Sequence, residues 1–256
     1  MKKKALSGFG LALCTMAATA QAPFDIVGLK LGMTEQEAMA ALQAHEPTLN
    51  ITRVDSYYNY TDGIETFQTD QFLGELRASR PNAQQAVPEF TLLFSPPPQG
   101  GRLWAVSRRE KIVQNQPSFP QYVQALEQKY GKPTAVTPDN SSLSWDHPAD
   151  QPRCLARDPQ RPGFPTYRPQ SDGSDLMIHL KAANQRNPSP PDYKTCGSQL
   201  YFILSTTGGE VVDNFEAIMY DIGHYVTASE AADAEVQALE TKAREAREGK
   251  GQIPSL

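Results

Sequence analysis

The chain has 256 residues, with 24 basic against 29 acidic side chains and a formal net charge of −5. Its lysine cluster, Lys2 to Lys4, lies at the extreme N-terminus; without residues 1–22 the balance is 21 basic against 29 acidic, a net of −8. That acidity, with no run of like charge, argues against nucleic acid and against an anionic membrane surface as partners.

Lys2, Lys3 and Lys4 form a positive n-region, and an uncharged apolar stretch runs from Ala5 to Ala18. Ala18-Thr19-Ala20 and Ala20-Gln21-Ala22 both fit a small-x-small cleavage pattern. Residues 1–22 therefore read as a secretory signal peptide cut near Ala20 or Ala22, which predicts a periplasmic or secreted bacterial protein. No later stretch reaches the roughly 18 uncharged apolar residues of a spanning helix. Leu11-Ala12-Leu13-Cys14 places Leu13 where a bacterial lipoprotein box has a small residue, so lipidation at Cys14 is the minor alternative. Once Cys14 leaves with the leader, Cys154 and Cys196 remain as an even pair in an oxidising compartment. A disulfide between them is expected, closing a loop worth roughly 4 kcal/mol in chain entropy.

In chain order, Thr34-Glu35-Gln36-Glu37 is a capping box, followed by Ala38, Met39, Ala41 and Leu42 at helical spacing and stopped by Glu46-Pro47. Segments 51–60, 72–78, 89–94 and 102–108 have strand character. A second capping box, Ser118 to Gln121, opens a helix whose face is Phe119, Tyr122, Val123, Leu126 and Tyr130, ended by Gly131 and Pro133. Strand candidates follow at 142–145, 175–182, 199–205 and 210–220, with Gly208-Gly209 turning the last pair into a hairpin. A helix near 229–248 closes the chain, opened by Thr227 to Glu230, with a thin, mostly alanine stripe. The expectation is an α+β fold of two tandem repeats, each a helix followed by an antiparallel sheet of about four strands, plus a C-terminal helix. The units divide as a signal peptide at 1–22, repeats at 23–115 and 116–226, and a helix and tail at 227–256.

Gly28-Leu29-Lys30-Leu31-Gly32-Met33-Thr34, followed by Gln36 and Leu42, resembles the opening segment of BamE-type outer-membrane assembly lipoproteins and of the related β-lactamase-inhibitor-protein fold. Those modules pair a short helical segment with an antiparallel sheet, and the inhibitor carries two in tandem. The second repeat lacks Gly-Met-Thr and shares the element order and the ending Lys129-Tyr130-Gly131-Lys132-Pro133. The resemblance implies an architecture whose known tasks are binding and scaffolding.

Catalytic motifs are absent from the sequence. His45, His147, His179 and His224 form no i, i+4 pair, HExxH motif or Cys/His cluster, so neither a zinc site nor a cofactor is expected. No Gly-x-Ser-x-Gly elbow or phosphate-cradling glycine loop follows the leader. His147, beside Trp145 and Asp146, is the best-placed acid/base candidate. Two features fit recognition: the aromatic group Tyr57, Tyr58 and Tyr60, and the Arg153, Arg157, Arg161 and Arg168 loop within a proline-rich excursion pinned by the cysteines. The leading expectation is a non-catalytic binding or scaffold protein of the envelope, partnered by another envelope or secreted protein. An inhibitor or immunity-type protein against a secreted enzyme comes second, and a hydrolase built from scattered Asp, Glu and His147 third.

Overall fold

A computed structural model describes residues 24–81, 89–139, 141–151, 154–155, 176–178, 180, 189 and 191–249. The described residues begin with a two-residue turn in which Ile26 and Leu29 exchange backbone hydrogen bonds, each of 3.0 Å. Asp25 Oδ1 accepts from the Gly28 N–H at 2.9 Å, and Val27 and Gly28 both take positive φ, 48° and 88°. The turn lets Phe24, Ile26, Leu29 and Leu31 all point inward, and each is buried. The capping box at Thr34 then forms as expected: its backbone N–H donates to Glu37 Oε2 at 2.8 Å, and its Oγ1 accepts from the Glu37 N–H at 3.3 Å. Helix α1 (Glu35–His45) follows and buries Ala38 and Leu42, one turn apart on the same side.

Strands β1 (Asn50–Ser56), β4 (Phe72–Ser79), β5 (Phe90–Phe94) and β6 (Leu103–Lys111) come next, with a separate hairpin of β2 (Asn59–Thr61) and β3 (Thr66–Gln68) between the first two. Helix α2 (Phe119–Tyr130) precedes β7 (Ala135–Val136), β8 (Ser142–His147), β9 (Ser198–Thr207) and β10 (Val211–Asp221). Helix α3 (Ile222–Glu248) ends the described chain. The fold is α+β, with one large antiparallel sheet and a C-terminal helix. Two four-stranded sheets were expected; the sheet is a single one of eight strands, ordered β1-β4-β5-β6-β10-β9-β8-β7. The join is β6 against β10, paired from Asn214↔Lys111 to Tyr220↔Ala105. Joining there removes two strand edges that separate sheets would leave exposed.

The first face of the sheet carries Leu76, Phe90, Leu92, Val106, Leu143, Trp145, Phe202, Phe215, Ala217 and Met219 in one apolar layer beneath α1, α2 and the N-terminal turn. The second face gathers Leu93, Trp104, Ala105, Tyr201, Ile218 and Tyr220 against the start of α3 and the disulfide.

Three local expectations are corrected. The predicted strand over 51–60 breaks after Ser56, because Asp62 Oδ1 accepts from the N–H groups of Ile64 and Glu65 at 2.8 and 2.7 Å and turns the chain into the β2–β3 hairpin. The strand predicted over 175–182 is not one: Leu176, Met177, Ile178 and Leu180 are helical. Apolar residues at 176, 178 and 180 fit a strand, but the structure buries Leu176 and Leu180 completely and leaves Ile178 69% exposed, the i, i+4 pattern of a helix. The C-terminal helix starts at Ile222 rather than near 229, with β10 running straight into it and Asp221 Oδ1 accepting from the His224 N–H at 2.8 Å. Thr227, expected at the cap, instead donates to the Gly223 carbonyl at 2.8 Å. The extra turns supply Ile222, Tyr225, Val226 and Ala228, all buried, so the helix docks through residues upstream of its alanine stripe.

Candidate functional site

On the second face of the sheet Arg77 and Arg109 are exposed and Thr91 and Ser107 half-buried. Registers β4–β5 and β5–β6 align Arg77, Thr91 and Ser107 in one row across three strands, and β6–β10 sets Arg109 opposite Glu216 two residues further along. Arg77 is exposed and grips the buried Glu75 through Nε and Nη2 at 2.8 and 2.9 Å. Arg109 does the same to Glu216 through Nε, at 2.8 Å. In each pair the carboxylate lies low on the sheet and the guanidinium spreads above it, and neither Arg77 nor Arg109 spends its Nη1 on a bond among the described residues. A planar fork with unused donors suits recognition of carboxylate or carbonyl groups. With strands about 4.8 Å apart and a rise of about 3.4 Å per residue, the two arginines stand roughly 12 Å apart, with Thr91 and Ser107 between them. The result is a polar platform on a rigid sheet, bounded along one side by α3.

The tyrosine group divides. Tyr57 is exposed, Tyr58 lies half-buried against Phe72 at 5.3 Å, and Tyr60 stacks on Phe67 at 5.4 Å across the β2–β3 hairpin. Tyr60, Ile64 and Phe67 face Ala243, Ala246 and Arg247 of α3 across a cleft of about 550 Å³, with Arg247 4.0 Å from Asp62. The hairpin therefore clasps the far end of α3, which uses Tyr60 in a fold contact. Backbone donors from Glu65 and Ile64 hold the Asp62 carboxyl below its ordinary range. Arg153, Arg157, Arg161 and Arg168 lie outside the described residues. The expected disulfide joins Cys154 to Cys196, with Cα atoms 6.2 Å apart. It fixes residues 154 and 196 to the second face beside Tyr225 and Val226.

Among the histidines, His147 packs edge-on to Phe24 with ring centroids 6.2 Å apart, a packing role. His179 is outside the described residues. His224 places Nε2 3.2 Å from Ser95 Oγ, and burial lowers its pKa. No group of three or more His, Cys, Asp or Glu side chains suited to a metal ion occurs among the described residues.

Sequence reasoning missed a charge network at the C-terminal end of α1. Arg80 lies 3.1 Å from Glu89, 3.8 Å from Glu110 and 3.9 Å from Glu46. Arg108 bonds Glu110, sits 3.5 Å from His45 Nε2, and lies over the rings of Phe90 and Phe215. Burial raises the Glu89 carboxyl above its usual range and, with the Arg108 charge, lowers His45. The available signal was strand alternation, which sets Arg108 and Glu110 on the face of Val106. The contact with Arg80 comes from the strand register, which local spacing does not encode.

No protein-family model, curated protein or solved structure matches this chain. The resemblance carried by Gly28 to Leu42 therefore rests on those residues alone. Among the described residues no helix is long and apolar enough to cross a membrane.

Proposed function

We propose that this is an exported, disulfide-bonded binding protein of the bacterial envelope, without catalysis, whose sheet platform around Arg77, Thr91, Ser107 and Arg109 engages another protein. The observation that carries the reading is the platform itself: a rigid face on which two exposed guanidiniums, each already neutralised by a carboxylate, keep an Nη1 that bonds nothing among the described residues. A partner presenting carbonyl groups fits it, since the arginines need no further charge compensation and gain hydrogen bonds. The leader and the Cys154–Cys196 pair support export to an oxidising compartment. We also read the chain as two helix-plus-four-strand units set edge to edge. The mirrored strand order, outward from β6–β10 on both sides, supports this.

Site-specific photo-crosslinking tests the platform. Benzoyl-phenylalanine placed at Thr91 or Ser107 should trap one and the same envelope protein, and the same group at the exposed Gln124 of α2 should trap none. A partner captured from Gln124 and not from the two platform positions sinks the reading. The paired units also favour a second reading, inhibition of a secreted enzyme. It requires the trapped protein to be a hydrolase that loses activity at one equivalent of this chain.

A further inference from the structure

The first face of the sheet is not filled completely. A cavity of about 250 Å³ lies between α2 and the strands, floored by Phe202, Phe215 and Ala217 and bordered by Tyr122, Leu126 and the exposed Ala125. The floor is low where Ala217 stands opposite Arg108 in the β6–β10 register, since a methyl group replaces the large side chains on either side.

Two polar groups at this cavity have no partner among the described residues. Arg108 lines it, and its Nε is buried without an acceptor, an uncommon and costly state for a guanidinium N–H. Tyr122 also lines it, and its hydroxyl makes no hydrogen bond among the described residues; burial raises its pKa, so it stays a neutral donor.

We propose that this cavity is a binding site for a small, uncharged, largely apolar molecule carrying one hydrogen-bond acceptor, taken by Arg108 Nε and the Tyr122 hydroxyl. Size sets the first limit: a dry cavity of about 150 Å³ holds benzene, so this one takes a molecule only modestly larger. Charge sets the second. Arg108 is matched by Glu110, and Lys129 donates to Asp25 Oδ1 at 3.0 Å, so both cations at the cavity are already paired. An anion would enter a site with no free charge to meet it. A carbonyl or ether oxygen satisfies both donors, and Phe202, Phe215 and Leu126 enclose the apolar remainder.

Acetophenone, ethylbenzene and benzoate are suitable probes, titrated into the full mature chain and followed by methyl NMR. Acetophenone should give saturable shifts at Ala125, Leu126 and Ala217, and benzoate should bind at least tenfold more weakly. Tyr122→Phe should weaken acetophenone about fivefold, the share of one net hydrogen bond, and leave ethylbenzene unchanged. Ala217→Leu should abolish binding of both by filling the floor. Ala125→Leu does the same from the border and serves if the first variant does not fold. Absence of saturable shifts, benzoate binding as tightly as acetophenone, or equal losses of acetophenone and ethylbenzene in Tyr122→Phe would each overturn the proposal.

Discussion

The two faces of the sheet are closed by different means. The first lies beneath two helices and a turn, and its contacts are mostly aromatic: Tyr130 meets Trp145 at 5.5 Å and Phe202 at 5.8 Å, and Phe202 meets Phe215 at 6.1 Å. The second is held by the first turns of α3, where Trp104 stacks on Tyr225 at 4.3 Å, and by a covalent bond that ties down residues 154 and 196. On β4, β5 and β6 the same face carries Arg77, Thr91, Ser107 and Arg109. Both faces bury large aromatic side chains, but only the second adds a covalent tie.

Truncation on each face puts that contrast to the test. Phe202→Ala, at the centre of the aromatic layer, should cost about 3–5 kcal/mol, measured by urea unfolding. Replacing both Cys154 and Cys196 by serine should cost roughly 4 kcal/mol if chain entropy alone sets the effect, within the usual range of about 2–5. The comparison sharpens if the serine variant keeps the near-ultraviolet signature of the first-face aromatics and loses that of Trp104 and Tyr225. Loss of both signatures together breaks it, because the faces would then form one inseparable unit.

Acid probes each face through one histidine. His45, at the edge of the first, is faced by Arg108, Glu110, Arg80 and Glu46; His224, on α3, is faced by Asp221 and Arg102. Both have folded-state pKa values below the ordinary value of about 6.5, with burial the largest cause. As pH falls through that value the unfolded chain protonates first, so each histidine's contribution is complete above it and lost below. Glu89 acts in the opposite sense: with its pKa raised, its contribution is complete below the ordinary carboxyl range and lost as pH rises through the folded value. Stability should therefore fall as pH drops below about 6.5, with a slope no steeper than about 1.4 kcal/mol per pH unit for each histidine. His224→Gln should flatten this slope, and Glu89→Gln should gain relative to the parent as pH rises from 4 to 7. Equal slopes in His224→Gln and the parent would locate the acid response on the first face alone.

Much of this architecture was legible because its signals are local. The Thr34 box, the Ser118 start with Gly131 after it, and the alternation of Phe90, Leu92 and Phe94 each sit within a few residues and act through backbone geometry. The errors have a common cause. Leu176, Ile178 and Leu180 satisfy two periods at once, and only the buried surroundings of 176 and 180 choose between them. The early start of α3 depends on Tyr225 finding Trp104, more than a hundred residues away. Edge pairing of β6 with β10 likewise has no local signature, so one sheet could not be told from two. The platform was missed for the same reason: Arg77 and Arg109 become neighbours only through register.

The smallest effects lie at the helix starts, where the two capping boxes look alike in sequence and differ in structure. At Thr34 both halves close, side chain to backbone in each direction. At Ser118 the backbone N–H donates to Gln121 Oε1 at 3.1 Å, but the hydroxyl turns to the same oxygen at 2.9 Å instead of taking the Gln121 N–H. Ser118 is also held by a bridge to Val211, and the Phe119 N–H donates to the Glu210 carbonyl at 2.9 Å, so the strand β10 supplies what the hydroxyl does not. Thr34→Ala should therefore cost about 1 kcal/mol, the usual value of a lost cap. Ser118→Ala should cost less than about half of that, because it removes only the hydroxyl's bond to a side chain. Thermal unfolding of the two single variants measures the difference. A Ser118→Ala loss equal to that of Thr34→Ala would mean that the hydroxyl caps α2 in solution and that β10 contributes little to holding its start.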